Sequence, residues 1–137
     1  MADIYYIIIS TMEVQKTNSY STLKYWFPPI IWAGLIFTFS SLPTVQTTKF
    51  YMGDFLIKKT AHIIEYGILA ILVFRALVNS NVDKKKSFFF AIIIASIYGI
   101  TDEFHQSFTP GRGPAVRDVA IDMIGATIGV NLWKRKS

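Results

Sequence analysis

Four apolar stretches divide the chain, at about residues 25–42, 61–78, 87–101 and 115–133. A helix needs about 20 residues, within a range of about 17 to 25, to cross the hydrocarbon core of a bilayer. The first, second and fourth stretches have that length. The third reaches it only if its helix continues through Asp102 and Glu103 toward His105. Within it, Phe88-Phe89-Phe90-Ala91-Ile92-Ile93-Ile94-Ala95 is apolar all round, and a helix on a soluble core keeps a polar face. The pattern therefore predicts an all-α membrane protein, a bundle of four transmembrane helices, rather than a soluble four-helix bundle. Pro28 and Pro29 fall in the first turn of the first stretch, where proline is tolerated, and Ser41-Leu42-Pro43 marks its exit. Residues 1–24 read as a polar, poorly ordered N-terminal tail, with Met12 an alternative start, and residues 25–137 read as the membrane domain. Ile4 to Ile9 is too short to span, and Asp3 stands where a signal peptide would be basic.

Composition agrees. Hydrophobic residues make up 52% of the 137 positions and charged residues 17%, with a mean hydropathy of +0.38. The absence of cysteine excludes disulfides and thiolate-bound zinc. The net charge of +5 does not form the basic stripe of a nucleic-acid binder, because the lysines and arginines flank the apolar stretches. Their distribution instead sets an orientation. The side that holds both chain ends and the middle loop carries nine (Lys16, Lys24, Arg75, Lys84, Lys85, Lys86, Lys134, Arg135 and Lys136). The other carries five, Lys49, Lys58, Lys59, Arg112 and Arg117. Basic residues accumulate on the cytoplasmic side, so both termini are expected in the cytoplasm of a multi-pass protein of the bacterial plasma membrane.

That orientation gathers the remaining polar groups at the outer face. Lys58, Lys59, His62, Glu65 and Tyr66 open the second stretch. Asp102, Glu103, His105 and Gln106 close the third, and Arg117, Asp118 and Asp122 open the fourth. Ionisable groups at membrane depth are costly and usually face the interior of a bundle or an aqueous cavity. Helical spacing puts His62, Glu65 and Tyr66 on one face, and Asp102, His105 and Gln106 on another. Asp118, Asp122, Gly125 and Gly129 share a third face, and Gly125-x-x-x-Gly129 is a small-xxx-small motif for close helix approach, within a chain or between chains. Thr109-Pro110-Gly111-Arg112-Gly113-Pro114 must turn the chain and holds Arg112 above the cluster.

These residues resemble the VanZ-like family of small bacterial membrane proteins. The resemblance is carried by Phe39-Ser40-Ser41-Leu42-Pro43, by Lys59-x-x-His62-x-x-x-Tyr66, by Asp102-Glu103-x-His105-Gln106-x-Phe108-x-Pro110-Gly111-Arg112, and by Asp118-x-x-x-Asp122-x-x-Gly125-x-x-x-Gly129. It extends over about Tyr25 to Trp133. Asp122 departs from the pattern, which leads to asparagine in many relatives. The resemblance implies a cell-envelope setting and, through the family's namesake, a link to low-level teicoplanin resistance. It implies no particular reaction.

The candidate chemistry is as follows. His62, Glu65, Asp102, Glu103, His105, Asp118 and Asp122 are the candidate acids and bases, since imidazole titrates near neutrality and carboxylates are tuned by burial and by one another. Lys59, Tyr66, Gln106, Arg112 and Arg117 are candidate ligand-binding residues, with the arginines suited to a phosphate beside the positive end of the fourth helix. A divalent metal, Zn2+, Mg2+ or Mn2+, would draw on His62, Asp102, His105 and Asp118. The expected function is binding, hydrolysis or transfer of an anionic envelope lipid or lipid-linked glycan in an outward-facing polar pocket. The alternative is a non-enzymatic interaction or accessory protein whose polar cluster is structural.

Overall fold

In the computed structural model, which describes residues 2–43, 51–110 and 116–135, each helix runs opposite to the one before it. They are α1 (Ala2–Ser40), α2 (Tyr51–Asn79), α3 (Lys84–Gln106) and α4 (Val116–Lys134). No strand occurs among the described residues. The first apolar stretch is thus the second half of a helix that begins at Ala2. Pro28 and Pro29 are interior to α1 rather than in its first turn. Proline lacks the N–H that would bond four residues back, so the carbonyls of Lys24 and Tyr25 lose their usual donors. The third stretch does continue through Asp102 and Glu103, because α3 ends only at Gln106.

Local chemistry sets the α2–α3 turn. Asn81 adopts a left-handed φ of 62°. The amide of Val82 bonds Leu77 O at 3.1 Å and that of Asn81 bonds Val78 O at 3.2 Å. This is the Schellman closure of a helix, with asparagine in the position usually given to glycine. Two residues later Asp83 caps α3, accepting from the amides of Lys85 and Lys86 at 3.0 and 3.1 Å.

α2 is the central element and packs against α1, α3 and α4. Its Tyr66, Leu69, Ala70, Val73, Phe74 and Leu77 meet Ile36 of α1, Ala91 and Ala95 of α3, and Ala126 and Val130 of α4. On α3 the buried residues Ser87, Ala91, Ala95, Gly99, Asp102, Glu103 and Gln106 form one stripe of small and polar side chains. The opposite face exposes Phe89, Phe90, Ile93, Ile94, Ile97 and Ile100. Polar bonds tie α1 down: Trp26 Nε1 donates to Ser80 Oγ (3.1 Å), Trp32 Nε1 to Glu65 O (2.9 Å) and Tyr98 OH to Ala33 O (2.6 Å).

Among the described residues, Leu56–Asn79 of α2 and Lys84–Gln106 of α3 are long and apolar enough to cross a membrane. α4 carries Arg117, Asp118 and Asp122 in its first seven residues. Those two acids turn toward α2, so its outer face, Met123, Ile124, Ile128 and Leu132, remains apolar and exposed.

Candidate functional site

α2 and α4 run side by side from the same end of the bundle, so the first turn of α4 meets the third turn of α2. Lys59 Nζ pairs with Asp118 Oδ1. One turn deeper, His62 Nδ1 lies 2.9 Å from Asp122 Oδ1. Deeper still the glycines of α4 touch the α2 backbone. A Cβ on Gly125 would lie 2.5 Å from Ile63 O, and one on Gly129 would lie 2.5 Å from Gly67 O. The small-xxx-small face is therefore filled within the chain by α2. The close approach it permits is what brings His62 and Asp122 into contact. Asp122 is 1% exposed, and its second oxygen, Oδ2, is buried with no hydrogen-bond partner among the described residues. Gly99 of α3 faces that oxygen, since a Cβ there would stand 3.1 Å from Oδ2. Glu103, one turn beyond Gly99, is also buried. One donor atom each from His62, Glu103 and Asp122 lies within 4.8 Å of the other two.

A second constellation lies between α1 and α3. Asp102 Oδ1 accepts from Ser40 Oγ at 2.5 Å. Its Oδ2 accepts from Tyr66 OH at 3.2 Å and from Gln106 Nε2 at 2.7 Å. His105 stacks on Phe37 with ring centroids 4.3 Å apart, and its Nε2 lies 3.0 Å from Ser41 Oγ.

The residues singled out by sequence thus do gather at one end of the bundle, but in two groups. His62, Lys59, Asp118, Asp122 and Glu103 form one; Asp102, His105, Gln106 and Tyr66 form the other. Tyr66 and Gln106, expected to face a ligand, instead donate to Asp102, and Tyr66 is wholly buried. Of the expected metal donors only His62 belongs to the group whose atoms converge. Asp102 is taken up by hydroxyl and amide donors, Asp118 by Lys59, and His105 by Ser41 and Phe37. Glu103 and Asp122 take their places. Glu65 follows His62 by one turn, and its carbonyl accepts from Trp32. Arg117 is exposed, its Nε 3.8 Å from Asp118 Oδ1. Arg112 and the rest of the Gly111–Ala115 turn lie outside the described residues. Three contributors were missed as site residues. Ser40 and Ser41 stand in the sequence only within the Phe39–Pro43 pattern, and Gly99 lies ahead of the polar block that starts at Asp102. A clue existed for the serines, which are adjacent hydroxyls at the end of an apolar stretch.

The profile of the VanZ/LLP1 family matches residues 4–136. The chain belongs to this family. No curated protein and no solved structure gives a match. The VanZ/LLP1 match and the two strongly apolar helices make it a membrane protein. Its polar groups lie at the ends of α1 and α3, in the first half of α2 and at the start of α4. A groove of about 320 Å3 occurs at the other end of α4, between Thr127, Ile128, Asn131, Leu132 and Arg135. It holds none of the acids or histidines that make the VanZ/LLP1 cluster chemically capable.

Proposed function

We propose that this VanZ/LLP1 chain spans the bacterial cytoplasmic membrane four times with both termini inside. Its outward-facing cluster binds an anionic envelope lipid or lipid-linked glycan and hydrolyses or transfers it. The observation that carries the reading is the pair of half-buried His62 and buried Asp122 at 2.9 Å. A carboxylate that holds one ring nitrogen orients the imidazole to take a proton from a water or hydroxyl. Arg117, exposed in the first turn of α4, supports phosphate binding by its charge and its nearness to the helix N-terminus. The outer faces of α1, α3 and α4 are lined by Phe27, Ile31, Phe90, Ile97, Ile124 and Leu132, as contact with lipid tails requires.

Native mass spectrometry of the detergent-purified protein with a polyprenyl phosphate and with phosphatidylcholine tests this. The phosphate lipid is expected to be retained preferentially, and Arg117→Ala to weaken its retention. His62→Gln is expected to keep binding and lose product formation. Equal retention of the two lipids by the wild type would overturn the reading. The namesake's link to teicoplanin supplies a cellular readout: expression of the chain raises the inhibitory concentration of the drug, and His62→Ala removes the rise.

A second reading has its own support. Asp102 accepts hydrogen bonds from Ser40 of α1, Tyr66 of α2 and Gln106 of α3, the arrangement of a clasp rather than of a reactive acid. In an accessory protein the whole cluster is such a clasp. Variants at His62 and Asp122 then lose thermal stability in detergent in parallel with function, whereas catalytic residues lose function alone.

A further inference from the structure

We infer that His62 of α2, Glu103 of α3 and Asp122 of α4 form a binding site for one divalent transition cation, Zn2+ or Mn2+. The three donor atoms come from three helices and lie within 4.8 Å of one another. Ligands about 2.0–2.2 Å from a tetrahedral metal stand about 3.4 Å apart, so side-chain adjustments of about 1 Å close the set. Two of the donors are already side by side through the 2.9 Å His62–Asp122 contact.

The second observation is Asp122 Oδ2. It is buried in a side chain that is 1% exposed, and no hydrogen bond reaches it from the described residues. Buried polar atoms are nearly always partnered, and an orphan calls for a bound water or ion. Here the surroundings select a cation. Leaving a buried carboxylate oxygen such as Asp122 Oδ2 without a partner is costly, and a dication between His62, Glu103 and Asp122 would supply one. Gly99 contributes by having no side chain, since any Cβ would press on Oδ2 at 3.1 Å. The imidazole donor favours Zn2+ over Mg2+ or Ca2+, the two carboxylates also suit Mn2+, and three protein ligands leave a position for a water or a substrate oxygen.

The site lies within the cluster used in the proposed function but does not depend on the lipid; with the ion bound, His62 is a ligand and not the proton acceptor of that reading. Purified protein is dialysed against Zn2+ or Mn2+ in lipid-free detergent, and bound metal is measured by elemental mass spectrometry. The wild type is expected to hold one ion per chain. Affinity falls by roughly a hundredfold or more in His62→Gln, Glu103→Gln and Asp122→Asn, beyond the loss caused by removing a ligand's outer partner. His105→Gln, at the neighbouring constellation, keeps the ion. Thermal melting of the wild type gives a check that no folding defect can blur: Zn2+ or Mn2+ raises Tm and a chelator reverses the rise. A folded wild type that neither retains an ion nor shifts its Tm overturns the assignment, as does equal loss of metal in His105→Gln. Metal binding without preference for the phosphate lipid would leave the cation site standing and overturn the lipid reading alone; lipid preference without metal would do the reverse.

Discussion

Ser40, Tyr66 and Gln106 all donate to Asp102, and these three hydrogen bonds join α1, α2 and α3. Side-chain hydrogen bonds inside membrane proteins average about 0.6 kcal/mol. Asp102→Ala should therefore lower stability by about 2 kcal/mol and Ser40→Ala by about 0.6 kcal/mol, measured by reversible unfolding in mixed micelles. A loss from Asp102→Ala no larger than that from Ser40→Ala would show that Tyr66 and Gln106 contribute nothing there. At this scale the sequence was half legible. Helical spacing put His62 on one face of its helix and Asp118 with Asp122 on one face of theirs. Which acid would meet which base depended on the axial offset between α2 and α4. That offset is a property of packing, and it pairs Lys59 with Asp118 and His62 with Asp122.

At the scale of elements, the α2–α4 contact is where small residues matter most. Gly125→Ala and Gly129→Ala each place a methyl group 2.5 Å from an α2 carbonyl. The helices must part, at about 1–3 kcal/mol by analogy with overpacked cores, and the His62–Asp122 contact should lengthen with them. Gly34→Ala on α1 meets nothing within 4 Å and should be neutral or stabilising by up to about 1 kcal/mol. Thermal denaturation of the three variants in one detergent separates these outcomes, and equal effects would contradict the packing. The α2–α3 turn has its own lever. Asp83→Ala removes the acceptor for two amides of α3 and should cost about 1 kcal/mol, readable in the same melts. The extent of α4 followed from its hydrophobic run, α2 starts at Tyr51, ten residues before the apolar stretch that begins at about 61, and α3 reached Gln106 because Asp102, Glu103 and Gln106 turn inward. The full length of α1 was not legible, since its first half carries only the short apolar run from Ile4 to Ile9, followed by a polar stretch to Lys24.

For the whole molecule, the basic residues and the apolar belt make a joint claim about orientation. A reporter fused after Ser137 should be active in the cytoplasm, and one placed between α1 and α2 should be active outside. Replacing Lys84, Lys85 and Lys86 with glutamine reduces the bias from nine against five to six against five and should give mixed topology. A wild-type C-terminus outside would move the polar cluster to the cytoplasmic face and end the envelope-lipid reading. The sequence alone determined the helical class, the positions of the apolar runs and the end of the bundle at which ionisable groups collect. These follow from the length of hydrocarbon to be crossed and the cost of burying charge. Only the tertiary structure decided that the polar residues divide into two constellations, that Gly125 and Gly129 face α2 of the same chain, and that His62, Glu103 and Asp122 converge. The reason is physical. Spacing along a helix fixes which residues share a face, but the contact between faces is set by how closely two backbones approach and at what offset, and that depends on every side chain packed between them.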